Sequence, residues 1–243
     1  MRVAILTDIH GNRPAFEAAL AAAEVAGVDE LWCLGDLVGY GAEPDACIVL
    51  AREHAVVNLA GNHDLAVCGQ ISLEEFSRGA ALAATWTRDN VDPDNLRWLG
   101  ELEPQAVEDG IGLYHASPRD PVWEYVLSTL LAELCLDAQR QRICFIGHSH
   151  VALSFTRLEG APATGETRAG GAEIQLSKGE WLINPGSVGQ PRDGDPRAAW
   201  LLFDTATSTA RYYRTDYDIA SAQAAIRAAG LPDSLAERLQ YGQ

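Results

Sequence analysis

The sequence predicts an α/β fold in which two mixed sheets pack together and are flanked by helices. Three observations carry that expectation. The first sixty residues alternate short apolar, β-branched runs with helical periodicity, which implies a parallel sheet with right-handed crossovers. Beyond about residue 105, strand-like runs follow one another across tight turns with few helices between them, the pattern of a second sheet, mixed or antiparallel. Residues 218–243 return to Ala-rich helical spacing. A chain of 243 residues can bury one α/β core, so a single domain over 1–243 is expected, with 218–243 as its C-terminal helical tail.

The elements follow in order. RVAILTD is a buried parallel strand ending in a polar turn. Residues 13–26 form a helix, with Pro14 in its first turn and Gly27 just past its end. ELWCLGD is the second strand, residues 43–54 the second helix, and HAVVNLAGNHD the third strand. Helical periodicity covers 72–90, and 94–102 reads as another short helix. AVEDGIGLYHAS carries a D-G turn between two strands, a hairpin signal. RICFIGHSH, ALSFTRLE, AEIQLSKGEWLINPG and AAWLLFDTATSTARYYRT are further strands, assigned to the second sheet. Residues 159–171 are expected to be a mobile loop, and Gly230-Leu231-Pro232 to interrupt the helical tail. Segments 65–90 and 118–135 are expected to supply pocket walls. Trp86, Trp98 and Trp123 are expected to pack in the core rather than line a pocket or an interface.

Composition excludes several classes. No stretch approaches the ~18–20 apolar residues needed to span a bilayer, and the N-terminal apolar run meets Asp8 too soon for a signal peptide. A soluble, cytoplasmic protein is expected. The five cysteines, Cys33, Cys47, Cys68, Cys135 and Cys144, form no C-x-x-C pair and read as reduced structural thiols. A formal net charge of -16 with no basic stripe argues against a nucleic-acid backbone as the main partner.

Against this background the hard and borderline metal ligands are concentrated. TDIHGN holds Asp8 and His10, GDLVGYG holds Asp36, and GNHD holds Asn62 and His63. YHASP holds His115, and GHSH holds His148 and His150. Of six histidines only His54 lies outside these pieces. Each piece stands at a strand end, and in open sheets the carboxyl ends of the strands form the ligand crevice. Period two is expected to turn Asp8 with His10, and His148 with His150, to the same side. Taken singly, each residue has an ordinary explanation: a capping carboxylate for Asp8 and Asp36, a left-handed turn residue for Asn62, a satisfied imidazole for any histidine. Taken together, they form a donor set for a pair of divalent ions, and such a pair hydrolyses phosphate esters.

The pattern D-x-H, G-D, G-N-H-[DE], H, G-H-x-H resembles the calcineurin-like metallophosphoesterase superfamily from Asp8 to His150, and NPGSVGQPRDG extends the likeness to about residue 194. GDLVGYG and NPGSVGQPR are similar to its small bacterial and archaeal phosphodiesterase-like branch. The resemblance implies a four-layer α/β/β/α sandwich and two divalent ions, Mn²⁺, Fe or Zn²⁺, with Ni²⁺ or Co²⁺ as substitutes. It implies one site of Asp8, His10, Asp36 and His150 and a second of Asp36, Asn62, His115 and His148, bridged by Asp36. Two such ions bring about +4 into a pocket whose two carboxylates contribute about -2, so an acidic protein can bind an anionic phosphoester. His63 is implied as the residue that protonates the leaving alkoxide or orients the phosphate.

One departure matters. The protein-phosphatase branch continues its second motif G-D-x-x-D-R-G, whereas this chain has Gly39 and Tyr40 at the Asp and Arg positions. The partner of His63 is therefore open, Asp64 being one option. The phosphate-binding arginine must come from elsewhere, with Arg13, Arg119 and Arg192 as candidates, and Asn12 either contacts substrate or shapes its loop. The leading expectation is a phosphodiesterase for small or nucleotide-like substrates. A phosphomonoesterase, a protein phosphatase or a dinucleoside polyphosphate hydrolase is the alternative, and a non-catalytic metal-binding scaffold the alternative of another class. Oligomeric state is not readable.

Overall fold

The computed structural model describes residues 1–243. Strand β1 (Arg2–Leu6), helix α1 (Arg13–Ala26), β2 (Glu30–Cys33), α2 (Pro44–His54) and β3 (Val57–Asn58) form the expected β-α-β-α-β unit, with β1, β2 and β3 parallel. Asn12 caps α1, its side chain accepting from the Ala15 N–H, and Gly27 ends it in the left-handed conformation at φ 72°. The third strand is two residues long, and α3 (Asn62–Val67) begins where a strand was expected to continue. The cause is Asp64, whose carboxylate accepts the Gly61 N–H at 2.9 Å and stabilises a helical first turn. Asn62 and His63 thus start a helix.

Next come α4 (Arg78–Asn90) and α5 (Pro93–Leu99), shorter than the expected spans, then the hairpin β4 (Gln105–Glu108) and β5 (Ile111–Tyr114). Asp109 and Gly110 both take positive φ, as a two-residue hairpin turn requires. Helix α6 (Thr129–Ala138) arises inside a segment expected only as pocket wall, its start set by Ser128, which caps the Leu131 N–H. Strands β6 (Ile143–Phe145), β7 (Ala152–Arg157), β8 (Thr164–Thr167), β9 (Glu173–Gln175), β10 (Glu180–Pro185), β11 (Ala198–Asp204) and β12 (Thr209–Thr215) follow. The expected mobile loop at 159–171 therefore contains a strand, because residues 164–167 pair antiparallel with β7. Its side chains are exposed, and the absence of an apolar face removed the sequence signal.

The strands make two six-stranded mixed sheets, ordered β3-β2-β1-β11-β12-β9 and β4-β5-β6-β10-β7-β8. The sequence expectation placed the last hairpin in the second sheet. Instead β11 lies beside β1 and completes the first. All of Ala198–Phe203 is buried, and a strand apolar on both faces belongs at a sheet centre, not at an edge.

The pleat sorts the core into layers. Ala4, Leu6, Trp200 and Leu202 face α1 and α2, packing on Phe16, Ala19, Cys47 and Ile48. Val3, Ile5, Leu201 and Phe203 face the second sheet, packing on Phe145 and Ile183. Cys144, Leu182 and Phe155 cover the far side of that sheet with Ala132, Cys135 and Leu136 of α6. The result is the four-layer α/β/β/α sandwich. After it, α7 (Ile219–Ala228), α8 (Asp233–Glu237) and a 3₁₀ turn (Arg238–Tyr241) are separated at Gly230-Leu231-Pro232 as expected. Ile226, Leu235 and Leu239 pack them against Ala83, Trp86 and Tyr40. No helix is long and apolar enough to cross a membrane.

Candidate metal centre

The loops after β1, β2, β3, β5 and β6 bring all seven expected ligands to one rim. The local reason differs from the expected strand alternation. β1 ends at Leu6 and β6 at Phe145, before the ligands begin. Asp8, His10, Asp36, His148 and His150 instead sit at φ between 51° and 64°, a left-handed conformation that costs a side-chain-bearing residue ~1–2 kcal/mol each. Backbone hydrogen bonds between loops hold it. Asp8 N donates to Gly35 O, His10 N to Asp36 O, Gly11 N to Leu37 O and Gly147 N to His115 O. The NPGSVGQPR segment braces the rim, its Ser187 Oγ and Gly189 N both donating to Asp8 O. Gly61 must be glycine for a related reason, since a Cβ there would overlap Asp36 Oδ1.

The donor atoms then converge. His10 Nε2 lies 3.1 Å from His150 Nε2 and 3.5 Å from Asp36 Oδ2, and His150 Nε2 lies 3.4 Å from Asp8 Oδ1. His115 Nε2 lies 3.6 Å from Asp36 Oδ2 and 3.2 Å from Asn62 Oδ1. Donors ~2.1 Å from a common ion in tetrahedral or octahedral geometry are about 3.0–3.4 Å apart. One group of Asp8, His10, Asp36 and His150, and another of Asp36, His115 and His148, are each close enough to hold an ion.

Second contacts decide which atoms face inward. Nδ1 of His10, His115 and His150 stands 3.1, 2.9 and 2.6 Å from the carbonyls of Val38, Leu34 and Gln190. A carbonyl only accepts, so each Nδ1 carries the proton and each Nε2 presents a lone pair. Two lone pairs facing each other at 3.1 Å repel unless a cation lies between them. The carboxylates are divided in the same way. Asp8 Oδ2 accepts from Thr7 Oγ1 and His148 N, leaving Oδ1 buried without a partner. Asp36 Oδ1 accepts from His63 N at 2.8 Å, leaving Oδ2 between His10 and His115. His148 Nε2 is likewise buried and unpartnered. The donor set fits divalent cations.

Electrostatics agrees with that fit. Burial pushes the Asp8 carboxyl up to about 7, and burial with the neighbouring Asp64 charge raises Asp36 as well. Burial holds His10, His63, His148 and His150 below the ordinary imidazole range, so they are neutral, the form a metal accepts.

His63 lies beside the centre, its ring 4.4 Å from Tyr40, 4.9 Å from His10 and 4.9 Å from Phe76. Its Nδ1 is buried, unpartnered and pressed against Gly39. The Asp64 carboxylate does not reach it. That group accepts from the backbone N–H of Gly61, Leu37 and Val38, buckling the GDL and GNH loops together. Asn12 also turns from the cleft, capping α1 and donating to Gly189 O and Tyr217 Oη. Arg13 pairs with Glu17 on the surface and Arg119 with Glu124. Only Arg192 of the four expected substrate contacts lines the cleft.

The cleft has a volume of about 250 Å³ above Asp36, Asn62, His63, His148 and His150. Tyr40, Arg192 and Arg238 line its walls with Glu75, Phe76, Ser77, Ala80, Trp123 and Tyr125, so segments 65–90 and 118–135 supply pocket walls as expected. Trp123 is a correction to the core-packing expectation, whereas Trp86 and Trp98 do pack on the cores. Tyr40 lies in the GDLVGYG motif, whereas Arg238 comes from the tail and had no sequence signal.

Comparison with known proteins agrees with the fold. A solved metallophosphoesterase from Sphaerobacter thermophilus is 38% identical with a TM-score of 0.90, the match covering 100% of this chain and 99% of that one. An uncharacterized protein of Methanocaldococcus jannaschii is 36% identical over 248 aligned positions, 99% of this chain and 98% of its own length. A symmetrical bis(5'-nucleosyl)-tetraphosphatase of Paraburkholderia phymatum is 29% identical over 129 positions, 52% of this chain and 45% of its own. Residues 1–208 match the calcineurin-like phosphoesterase superfamily domain. The chain belongs to the calcineurin-like phosphoesterase superfamily.

Proposed function

We propose that this chain hydrolyses phosphodiesters of small or nucleotide-like molecules, using two divalent ions held by Asp8, His10, Asp36 and His150 and by Asp36, Asn62, His115 and His148. The observation that carries the reading is the inward-facing donor set around Asp36 Oδ2, with the opposed Nε2 lone pairs of His10 and His150. Bound ions supply Lewis-acid polarisation of the phosphoryl oxygens and a hydroxide available near neutral pH. Mn²⁺, Fe or Zn²⁺ suits this nitrogen-and-oxygen set, with Ni²⁺ or Co²⁺ as substitutes.

The chain's own residues supply the remainder. His63 is neutral in the free cleft because burial and Arg192 disfavour its cation. An anionic phosphoryl group beside it offsets that cost and favours the protonated ring. In hydrolysis the oxygen of a hydroxide bonds to phosphorus, the ester P–O bond breaks, the proton of His63 goes to the departing alkoxide, and the proton that the water gave up on forming hydroxide restores His63. Arg192, which donates to Gln190 Oε1 at 2.8 Å, brings positive charge to the cleft wall, where the second motif has none. Gly39 and Tyr40 favour small esters over phosphoproteins, because the Asp-Arg pair of the protein-phosphatase motif is absent. The nucleotide alternative, hydrolysis of dinucleoside polyphosphates, is favoured by the similarity to the Paraburkholderia tetraphosphatase.

The test is turnover of bis-p-nitrophenyl phosphate against p-nitrophenyl phosphate by the Mn²⁺-, Ni²⁺-, Co²⁺- or Zn²⁺-loaded chain. We expect the diester to be preferred. Asp36→Ala should bind less than one ion per chain, and His63→Ala should retain its metals while losing ~10²–10⁴-fold in turnover. Failure to cleave either ester with any of the four metals overturns the hydrolase reading.

A further inference from the structure

Arg192 and Arg238 are far apart in sequence yet line the same cleft. Their guanidinium carbons lie 5.7 and 6.0 Å from the ring centroid of Tyr40, within cation–π range. Arg192 also donates to Tyr40 Oη at 3.4 Å. Arg238 is aimed from the C-terminal 3₁₀ turn by its Nε, which donates to Gln243 O at 2.6 Å. Neither guanidinium has an Asp or Glu carboxylate within 4.0 Å, and the terminal residue's Gln243 O takes only the Nε of Arg238, in a chain with 34 acidic and 18 basic residues. Neither arginine is therefore the counter-ion of an Asp or Glu side chain, and the terminal nitrogens of Arg238 have no protein acceptor. Burial and the Arg192 charge both disfavour the Arg238 cation, so the pair is held together at a cost that an anion between them would relieve.

We propose that Arg192 and Arg238, on the Tyr40 ring, form a second anion subsite that receives a charged group of the substrate beyond the phosphoryl group undergoing attack. This inference rests on the hydrolase reading above for what the first phosphoryl group is. It assigns the substrate class as phosphoesters with at least two anionic groups, such as nucleoside bisphosphates or oligophosphates. It also gives the C-terminal tail, which lies beyond the family domain match at residue 208, a part in specificity.

The test is calorimetric binding of thymidine 3',5'-bisphosphate and thymidine 5'-monophosphate to the Mn²⁺-loaded full chain, with Arg238→Met and Arg238→Lys. Arg238→Met keeps the packed stem and removes the charge; Arg238→Lys keeps the charge. A charge-assisted contact predicts that the wild type prefers the bisphosphate about tenfold or more. Arg238→Met should bring that ratio close to one, and Arg238→Lys should recover part of it. Equal wild-type affinities, or a ratio unchanged in Arg238→Met, overturn the subsite. Bisphosphate preference without p-nitrophenyl ester turnover supports the subsite and overturns the hydrolase reading; turnover without preference does the reverse.

Discussion

At the residue scale, protonation separates the carboxylates of the centre from its imidazoles. Asp8 keeps its proton in the metal-free chain up to about pH 7, and Asp36 is raised in the same direction. Each entering cation must displace those protons, so metal affinity should fall as pH drops below 7. His10, His148 and His150 are already neutral across that range and add no proton competition. Calorimetric titration of Mn²⁺ in buffers of different ionisation enthalpy should show more protons released at pH 6 than at pH 8. Equal release at both would mean that the carboxylates are already ionised. Gly39 is a second single-residue control. It holds φ 86°, and a Cβ there would overlap His63 Nδ1. Gly39→Ala should therefore displace His63 and lower turnover by ~10²-fold with both metals retained. Metal analysis beside steady-state kinetics checks this, and unchanged turnover would remove His63 from the chemistry.

Elements are joined at the rim by buried side chains that bind backbone. The Asp64 carboxylate, at the start of α3, accepts three buried backbone N–H groups from the loops after β2 and β3. Asp64→Ala would leave all three donors unpaired at a cost of about 3 kcal/mol or more. For a chain of this size that corresponds to a melting temperature lower by about 6–12 °C. A thermal scan that finds Asp64→Ala within about 2 °C of the wild type would show that the loops do not depend on this buckle. The same scale explains which elements were legible. α1 was legible to the residue, because Pro14 and Gly27 mark its ends locally. α6 carries Leu130 and Leu134 exposed beside buried Ala132 and Cys135, so its periodicity is blurred. β8 has no buried residue, and only its pairing with β7 makes it a strand.

For the whole molecule, cations should couple to stability. Two buried carboxyls, an unpartnered Asp8 oxygen and opposed imidazole lone pairs are costs that bound ions remove. A ligand at 100 times its Kd stabilises by about 2.7 kcal/mol, about 5–10 °C in melting temperature for a chain of this length. Saturating Mn²⁺ should give a rise of that order, absent in Asp36→Ala, as read by differential scanning fluorimetry with and without chelator. An equal rise in the variant would place the stabilising ion elsewhere.

The sequence by itself picked out the seven candidate ligands and His63, because glycine-flanked polar turns after apolar strands are local signals. It also indicated two sheets, since most strands record their own burial, but not which sheet takes the last hairpin or that β8 is a strand. Tertiary structure alone decided that left-handed backbone, not strand pleat, aims five of the ligands. It alone placed β11 beside β1, set Asp64 to bracing rather than to orienting His63, and separated Arg192 from Arg13 and Arg119. It also brought Arg238 to the cleft from the tail. These outcomes depend on which surfaces meet across more than a hundred residues, and a chain read locally holds no record of such meetings.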